Sequence, residues 1–300
     1  MEQQDLERVL RTILAELRPY ASDLVLIGGW VPYLYRHYGG FTAWSGADTL
    51  TFELDLLVPQ PLPVEGRTSI ALLLGDAGFR PASDASAAAV WVRDVARGEK
   101  IEFIVSHQGT ARNQGRFVAL REQPGVAAIP LVDLDVLADH TQTLTLPPAA
   151  GLPAVEVRVP TLGAYALNKA LTFIRRGDRA ETGSPKMAKD LLYLGDLLAP
   201  GGEVVSRIER DLGAIAQTSS RNAERVYSAA TNVGWVINGH LREKLSPAAR
   251  MMMERVSAIS QAAAEARLEG FLRDFHEILM ECANRYAPSE IGRSDDWDEM

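Results

Sequence analysis

The sequence predicts an α/β domain built on a mixed β-sheet, followed by a helical domain. Short apolar runs punctuated by Gly and Pro dominate the first half. Examples are Leu24-Val25-Leu26-Ile27 ahead of Gly28-Gly29, and the alternating Lys100-Ile101-Glu102-Phe103-Ile104-Val105. From Thr161 onward strand signals fade and apolar residues recur at helical spacing. Between the halves, residues 141–160 (TQTLTLPPAAGLPAVEVRVP) are rich in Pro, Thr and Ala and mark the boundary. The expected division is residues 1–155 for the α/β domain, 156–288 for the helical domain and 289–300 for an acidic tail.

Taken in order, residues 4–18 place Leu6, Val9, Leu10, Ile13, Leu14 and Leu17 on one helical face, and Pro19 stops the pattern. Leu24 to Ile27 read as a buried strand, Gly28-Gly29 as a turn, and residues 30–38 as a helix. Residues 39–51 (GGFTAWSGADTLT) read as a loop, in which Phe41 and Trp44 are either tucked down or offered for base stacking. Residues 52–58 form the next strand, and residues 67–77 a helix with Ile70, Leu73 and Leu74 inward. Ala89-Val90-Trp91-Val92 and the strand from Lys100 form a hairpin joined by residues 94–98. Residues 110–129, with Arg112, Arg116 and Arg121, look irregular. Residues 130–137 contain a second acid-x-acid pair, Asp133 and Asp135, but no Gly-Gly turn precedes it and the apolar spacing is helical. Beyond residue 203, three or four amphipathic helices are expected, with Trp235, Val236 and Ile237 in the core and Cys282 buried.

The composition bounds the function. The apolar share is 47% and the charged share 23%, ordinary for a globular protein. No run approaches the ~20 apolar residues of a membrane span. The opening MEQQDLERVL lacks the apolar segment of a secretory signal. A single cysteine excludes an internal disulfide or a cysteine zinc cluster, so a cytoplasmic location is expected. The net charge of −8 disfavours a broad nucleic-acid surface but leaves room for a local basic groove.

The chemistry concentrates on Glu53 and Asp55. They stand two apart in a strand, so both side chains leave the same face while Leu54 and Leu56 leave the other. Carboxylates held together repel unless a cation lies between them, and a hard dication such as Mg²⁺ takes oxygen ligands and shares them with phosphates.

A strand, a Gly-Gly turn opening a helix, then a strand with an acid-x-acid pair resembles the nucleotidyltransferase superfamily of the DNA polymerase β type. The resemblance implies that Gly28 and Gly29 let the backbone approach a nucleoside triphosphate, beside a positive helix end. It implies that Glu53 and Asp55 hold Mg²⁺, or Mn²⁺ in its place. It also implies that Glu102, next in order, is the third acid, which ligates a metal and helps to activate the attacking hydroxyl. Two features depart from the family pattern: residues 39–51 lengthen the gap after the glycines, and the first acid is Glu rather than Asp.

A second constellation lies in the helical half. Lys169 is followed, after a polar turn, by a helix starting near Pro185 with Lys186, Lys189 and Asp190 ahead of an apolar run. A lysine followed by a Lys-Asp motif resembles the AbiEii-type branch, which includes toxins of toxin–antitoxin and abortive-infection systems. The resemblance implies that Lys169, Lys189 and, more weakly, Lys186 bind the triphosphate, with Asp190 orienting a lysine or substrate.

The reaction so implied moves a nucleotidyl group from an NTP to an acceptor hydroxyl. The toxin branch implies a tRNA acceptor and a cognate antitoxin partner. The acidic balance favours a small-molecule acceptor such as an antibiotic, and a protein side chain is a third acceptor. The alternative from another class is a non-catalytic nucleotide-binding or interaction module on a degenerate transferase fold, which the Glu at 53 and the long loop favour. No membrane partner is expected.

Overall fold

The structure, a computed structural model, describes residues 3–41, 53–83, 86–94, 98–107, 117–149, 151–179, 185–240, 242–255 and 259–286. The described residues fall into two compact units that divide after Thr161. Trp44, Arg112, Arg116 and the acidic tail lie outside them. Among the described residues, no helix is long and apolar enough to cross a membrane.

The first unit opens with helix α1 (Gln3–Glu16), strand β1 (Val25–Ile27) and helix α2 (Trp30–Tyr38), then β2 (Glu53–Leu57) and α3 (Ile70–Asp76). Strands β3 (Arg80–Pro81), β4 (Val90–Val92), β5 (Lys100–Ser106), β6 (Val118–Ala119) and β7 (Ala127–Leu131) follow. The short helix α4 (Asp135–Asp139) and the hairpin of β8 (Thr141–Leu146) and β9 (Val155–Pro160) complete the unit. The strand order is β3-β4-β5-β2-β1-β9-β8, with β7 beside the second half of β5 and β6 on β7. The sheet is mixed: β2 runs parallel to β5, β5 to β7 and β1 to β9, while β1–β2, β3–β4, β4–β5 and β8–β9 are antiparallel.

Strand alternation sets which face is buried. Leu54, Leu56, Ile101 and Phe103 are essentially inaccessible, and each such side chain contributes about 1.5–3 kcal/mol by leaving water. Helix α1 packs on β9, α2 on β1 and β8, and α4 on β1 and β9. Phe41 leans on the Tyr35 ring, with centroids 6.3 Å apart, and the Tyr35 hydroxyl donates to Pro160 O at 2.8 Å.

Three sequence expectations need correction. Residues 110–129, expected to be irregular, contain Val118-Ala119 as β6 and the first part of β7, which runs over Ala127–Leu131. Ala127 and Ala128 are buried there, and Ile104 and Val105 of β5 supply a parallel partner for Ile129 and Pro130. The helix expected over 130–137 is confined to Asp135–Asp139, because residues up to 131 are claimed by β7 and Asp133 adopts φ 57°, which no helix continues through. Trp235 is not in the core. It ends α8 half-exposed at 50%.

The second unit is helical: α5 (Leu162–Arg179), α6 (Pro185–Leu198), α7 (Gly202–Thr218), α8 (Ser220–Trp235), a π-turn over Val236–His240, α9 (Arg242–Arg255) and α10 (Gln261–Tyr286). Helix α5 packs on α6, α7 and α8, and α10 spans α6 to α9. Asp211 of α7 accepts the Gly163 amide at 3.1 Å, capping the first turn of α5, and Arg207 holds that carboxylate at 2.8 Å. Cys282 is buried.

The first unit is pinned by a polar cluster at α1. The Glu7 carboxylate accepts from the hydroxyls of Tyr33 and Tyr38 on α2 and from Arg11. Arg11, 3% exposed, also donates to Pro147 O at 2.6 Å and to the Tyr38 hydroxyl at 3.0 Å. Burial alone would raise the Glu7 pKa. The hydrogen bonds from Tyr33, Tyr38 and Arg11 outweigh it and hold the carboxyl below its ordinary range. A carboxyl depressed in the folded state contributes stability above its unfolded pKa and loses it as pH falls through the folded value. Glu7→Gln is therefore expected to cost about 2 kcal/mol at pH 7, because Arg11 keeps its charge without a carboxylate. The gap from the parent should close as the pH falls through the acid range. Urea denaturation of both proteins between pH 7 and pH 3 measures this, and a gap independent of pH would contradict the assignment.

Candidate active site

The site is built by two parallel strands in a fixed register. Glu53 pairs with Lys100, and Asp55 with Glu102. Side chains at paired positions of neighbouring strands share a face, so all four point to the side opposite Leu54, Leu56, Ile101 and Phe103. The carboxylate oxygens of Glu53, Asp55 and Glu102 lie within 4.8 Å of one another, each side chain half-buried. Lys100 stands among them. Its Nζ is 2.6 Å from Glu53 Oε1 and 2.7 Å from Glu102 Oε1. Burial would lower the Lys100 pKa, but hydrogen bonds and charge from Glu102 and Glu53 override it and raise it. The acid cluster thus holds Lys100 as an ammonium in its midst.

Strand β1 supplies the third side of the site. Ile27 pairs with Asp55, and the next residue, Gly28, turns the chain into α2. Gly28 has φ +77°, and a Cβ built on it would lie 2.2 Å from Asp55 Oδ2 and 3.1 Å from its Cγ. Only hydrogen fits between this turn and the carboxylate. Gly29 forms the N-cap of α2 with no side chain to fill the space ahead of the helix. The backbone leading into a helix N-terminus, where amides lack intrahelical partners, therefore sits against Asp55.

The donor set fits a divalent cation. Three carboxylates with oxygens this close offer the ligands that a hard, oxygen-preferring ion takes, with more acidic groups than the single ammonium of Lys100 can pair. Magnesium or manganese would be held by Glu53, Asp55 and Glu102. Lys100 itself was not singled out in the sequence. Its i, i+2 spacing to Glu102 was visible, but its place beside Glu53 follows from the β2–β5 register, which spans nearly fifty residues.

In the helical unit, Lys169 of α5 donates to Asp190 Oδ1 of α6 at 2.8 Å, with both side chains buried. The Lys169 ammonium lies over the rings of Tyr165 and Tyr193, 5.3 Å from each centroid. Direct phosphate contact by Lys169 would require it to leave this box. Lys189 is half-buried, 5.8 Å from the Tyr193 ring centroid. Lys186 lies in α6, but its side chain is outside the described residues.

Two stability experiments follow. Gly28→Ala introduces both the left-handed backbone strain, about 1–2 kcal/mol, and the collision with Asp55. In an Asp55→Gly background the collision is gone, so Gly28→Ala should cost markedly less there, and a double-mutant cycle in urea should show coupling. Equal costs in both backgrounds would mean that Asp55 does not crowd Gly28. Asp190→Leu leaves the buried Lys169 ammonium unpaired and should cost about 3–5 kcal/mol, whereas Lys169→Met with Asp190→Leu should recover much of it.

The family profile described as nucleotidyltransferase matches residues 4–200 of this chain, which covers the whole sheet, α5 and α6. No curated protein and no solved structure matches it. The family acts on nucleoside triphosphates and transfers phosphorus-containing groups. With a matching profile over most of the chain and a carboxylate triad beside a glycine turn, the protein belongs to the nucleotidyltransferase family.

Proposed function

We propose that the protein transfers a nucleoside monophosphate from an NTP to an acceptor hydroxyl, dependent on Mg²⁺, and that the acceptor is an RNA end, with tRNA the first candidate. The observation that carries the transfer reading is the convergence of Glu53, Asp55 and Glu102 next to the Gly28 turn. A degenerate module has no need to keep three carboxylates together against their mutual repulsion. The tRNA acceptor, and a toxin–antitoxin setting with a cognate antitoxin, are supported by the Lys189-Asp190 motif.

The chemistry assigned to these residues is simple to balance. The acceptor oxygen bonds to the α-phosphorus, the bond from that phosphorus to the β-bridging oxygen breaks, and pyrophosphate leaves. The hydroxyl proton passes to a carboxylate, Glu102 in this assignment, and then to water. A dication held by the triad would supply charge neutralisation at the phosphates. Gly28 and Gly29 keep the turn bare so that phosphate oxygens can approach backbone amides. Lys189, and Lys186 three residues before it, are assigned nucleotide binding on the strength of the Lys-Asp motif. Lys169 and Asp190 are assigned the bracing of α5 against α6, on the strength of their buried pair.

The test is incubation of purified protein with Mg²⁺, each α-labelled NTP and total tRNA, with Asp55→Ala alongside and its fold checked by circular dichroism. Label on RNA with the parent, reduced at least about a hundredfold in Asp55→Ala, is expected. Label that persists in Asp55→Ala would remove the triad from the mechanism. Label only on an added aminoglycoside, or on protein, would move the acceptor. Metal-dependent NTP binding without pyrophosphate release from any acceptor would favour the non-catalytic module.

A further inference from the structure

A lysine at the centre of a metal-binding acid cluster needs a physical account. Lys100 is not a bystander at the rim, because its ammonium contacts two of the three prospective ligands at 2.6 and 2.7 Å. Those contacts occupy oxygen lone pairs that a dication would use. The position is built in by the backbone: β5 places Lys100 directly opposite Glu53, and strand pleating places Glu102 on the same face two residues on. On its other side β5 pairs Lys100 with Val92 and Glu102 with Val90, which bring no competing charge.

We propose that Lys100 is the resident cation of this centre and competes with the divalent ion for the oxygens between Glu53 and Glu102. This rests on the reading that the triad holds a divalent ion. Without metal, Lys100 neutralises part of the repulsion among the three carboxylates and keeps β2 and β5 in register. When a dication enters, the ammonium group yields its place, which its flexible four-carbon stem allows. Lys100 thereby weakens divalent binding to the free protein. A metal that arrives with a triphosphate is favoured over bare metal, because the phosphates bring the negative charge that offsets the displaced lysine.

Direct Mn²⁺ binding, measured by calorimetry in the absence of nucleotide, tests this in the parent, Lys100→Met and Asp55→Ala. Lys100→Met is expected to bind Mn²⁺ about tenfold tighter or more. Its melting temperature in chelator should fall below that of the parent, and saturating Mn²⁺ should restore it. Lys100→Gln serves as the second neutral variant should the methionine fail to fold. Asp55→Ala checks the centre itself. If the parent binds no Mn²⁺, or if Asp55→Ala leaves its binding unchanged, the metal reading fails and this proposal falls with it. If Asp55→Ala abolishes binding while Lys100→Met and Lys100→Gln bind with parental or weaker affinity, the triad stands and Lys100 is not a competitor.

Discussion

The parallel register of β2 against β5 is the constraint from which the site follows. It sets Glu53 opposite Lys100 and Asp55 opposite Glu102, and pleating then sorts the charges to one face and Leu54, Leu56, Ile101 and Phe103 to the other. A slip of one residue would turn Glu102 into the core and Phe103 toward the acids. The apolar face therefore holds the polar face in place. The energy that keeps like charges close comes from the Lys100 ammonium among them and from the burial of side chains that never meet a substrate.

Much of this was legible in the sequence, for local reasons. The i, i+2 spacing of Glu53 and Asp55 and the alternation around Glu102 fix their faces without any knowledge of topology. The Gly28-Gly29 turn was legible because no other residue type combines a strand end with so free a backbone. What escaped was set by distant partners. Residues 117–131 carry few β-branched residues, and Ala127 and Ala128 become strand only because β5 offers an open edge there. Trp235 looked like core by hydrophobicity, yet its position at the end of α8 leaves it half in water.

The helical unit shows the same limit from the other side. Lys169 and Asp190 stood out as parts of a lysine and Lys-Asp motif in which Asp190 orients a lysine or substrate, but nothing in the spacing said that the lysine it bonds is Lys169. Their pairing, with Tyr165 and Tyr193 closing over the ammonium, satisfies a charge that would otherwise be costly to bury. The polar network of Tyr20, Gln123, Leu62 O and Ile70 N in the first unit is similar. A single buried glutamine, 1% exposed, ties three separate chain segments together through both ends of its amide.

The space between Gly28 and Asp55 also has a meaning for anyone comparing chains. The two positions are 27 residues apart but constitute one fact: a side chain at the first evicts the carboxylate at the second. A related sequence that keeps an aspartate at the second position and shows alanine or larger at the first must have rebuilt the turn. One that has lost the aspartate is released from the collision, and only the left-handed backbone of the turn still favours glycine there. The pair can thus be read as a two-letter record of whether a lineage still maintains its acid centre, in advance of any assay.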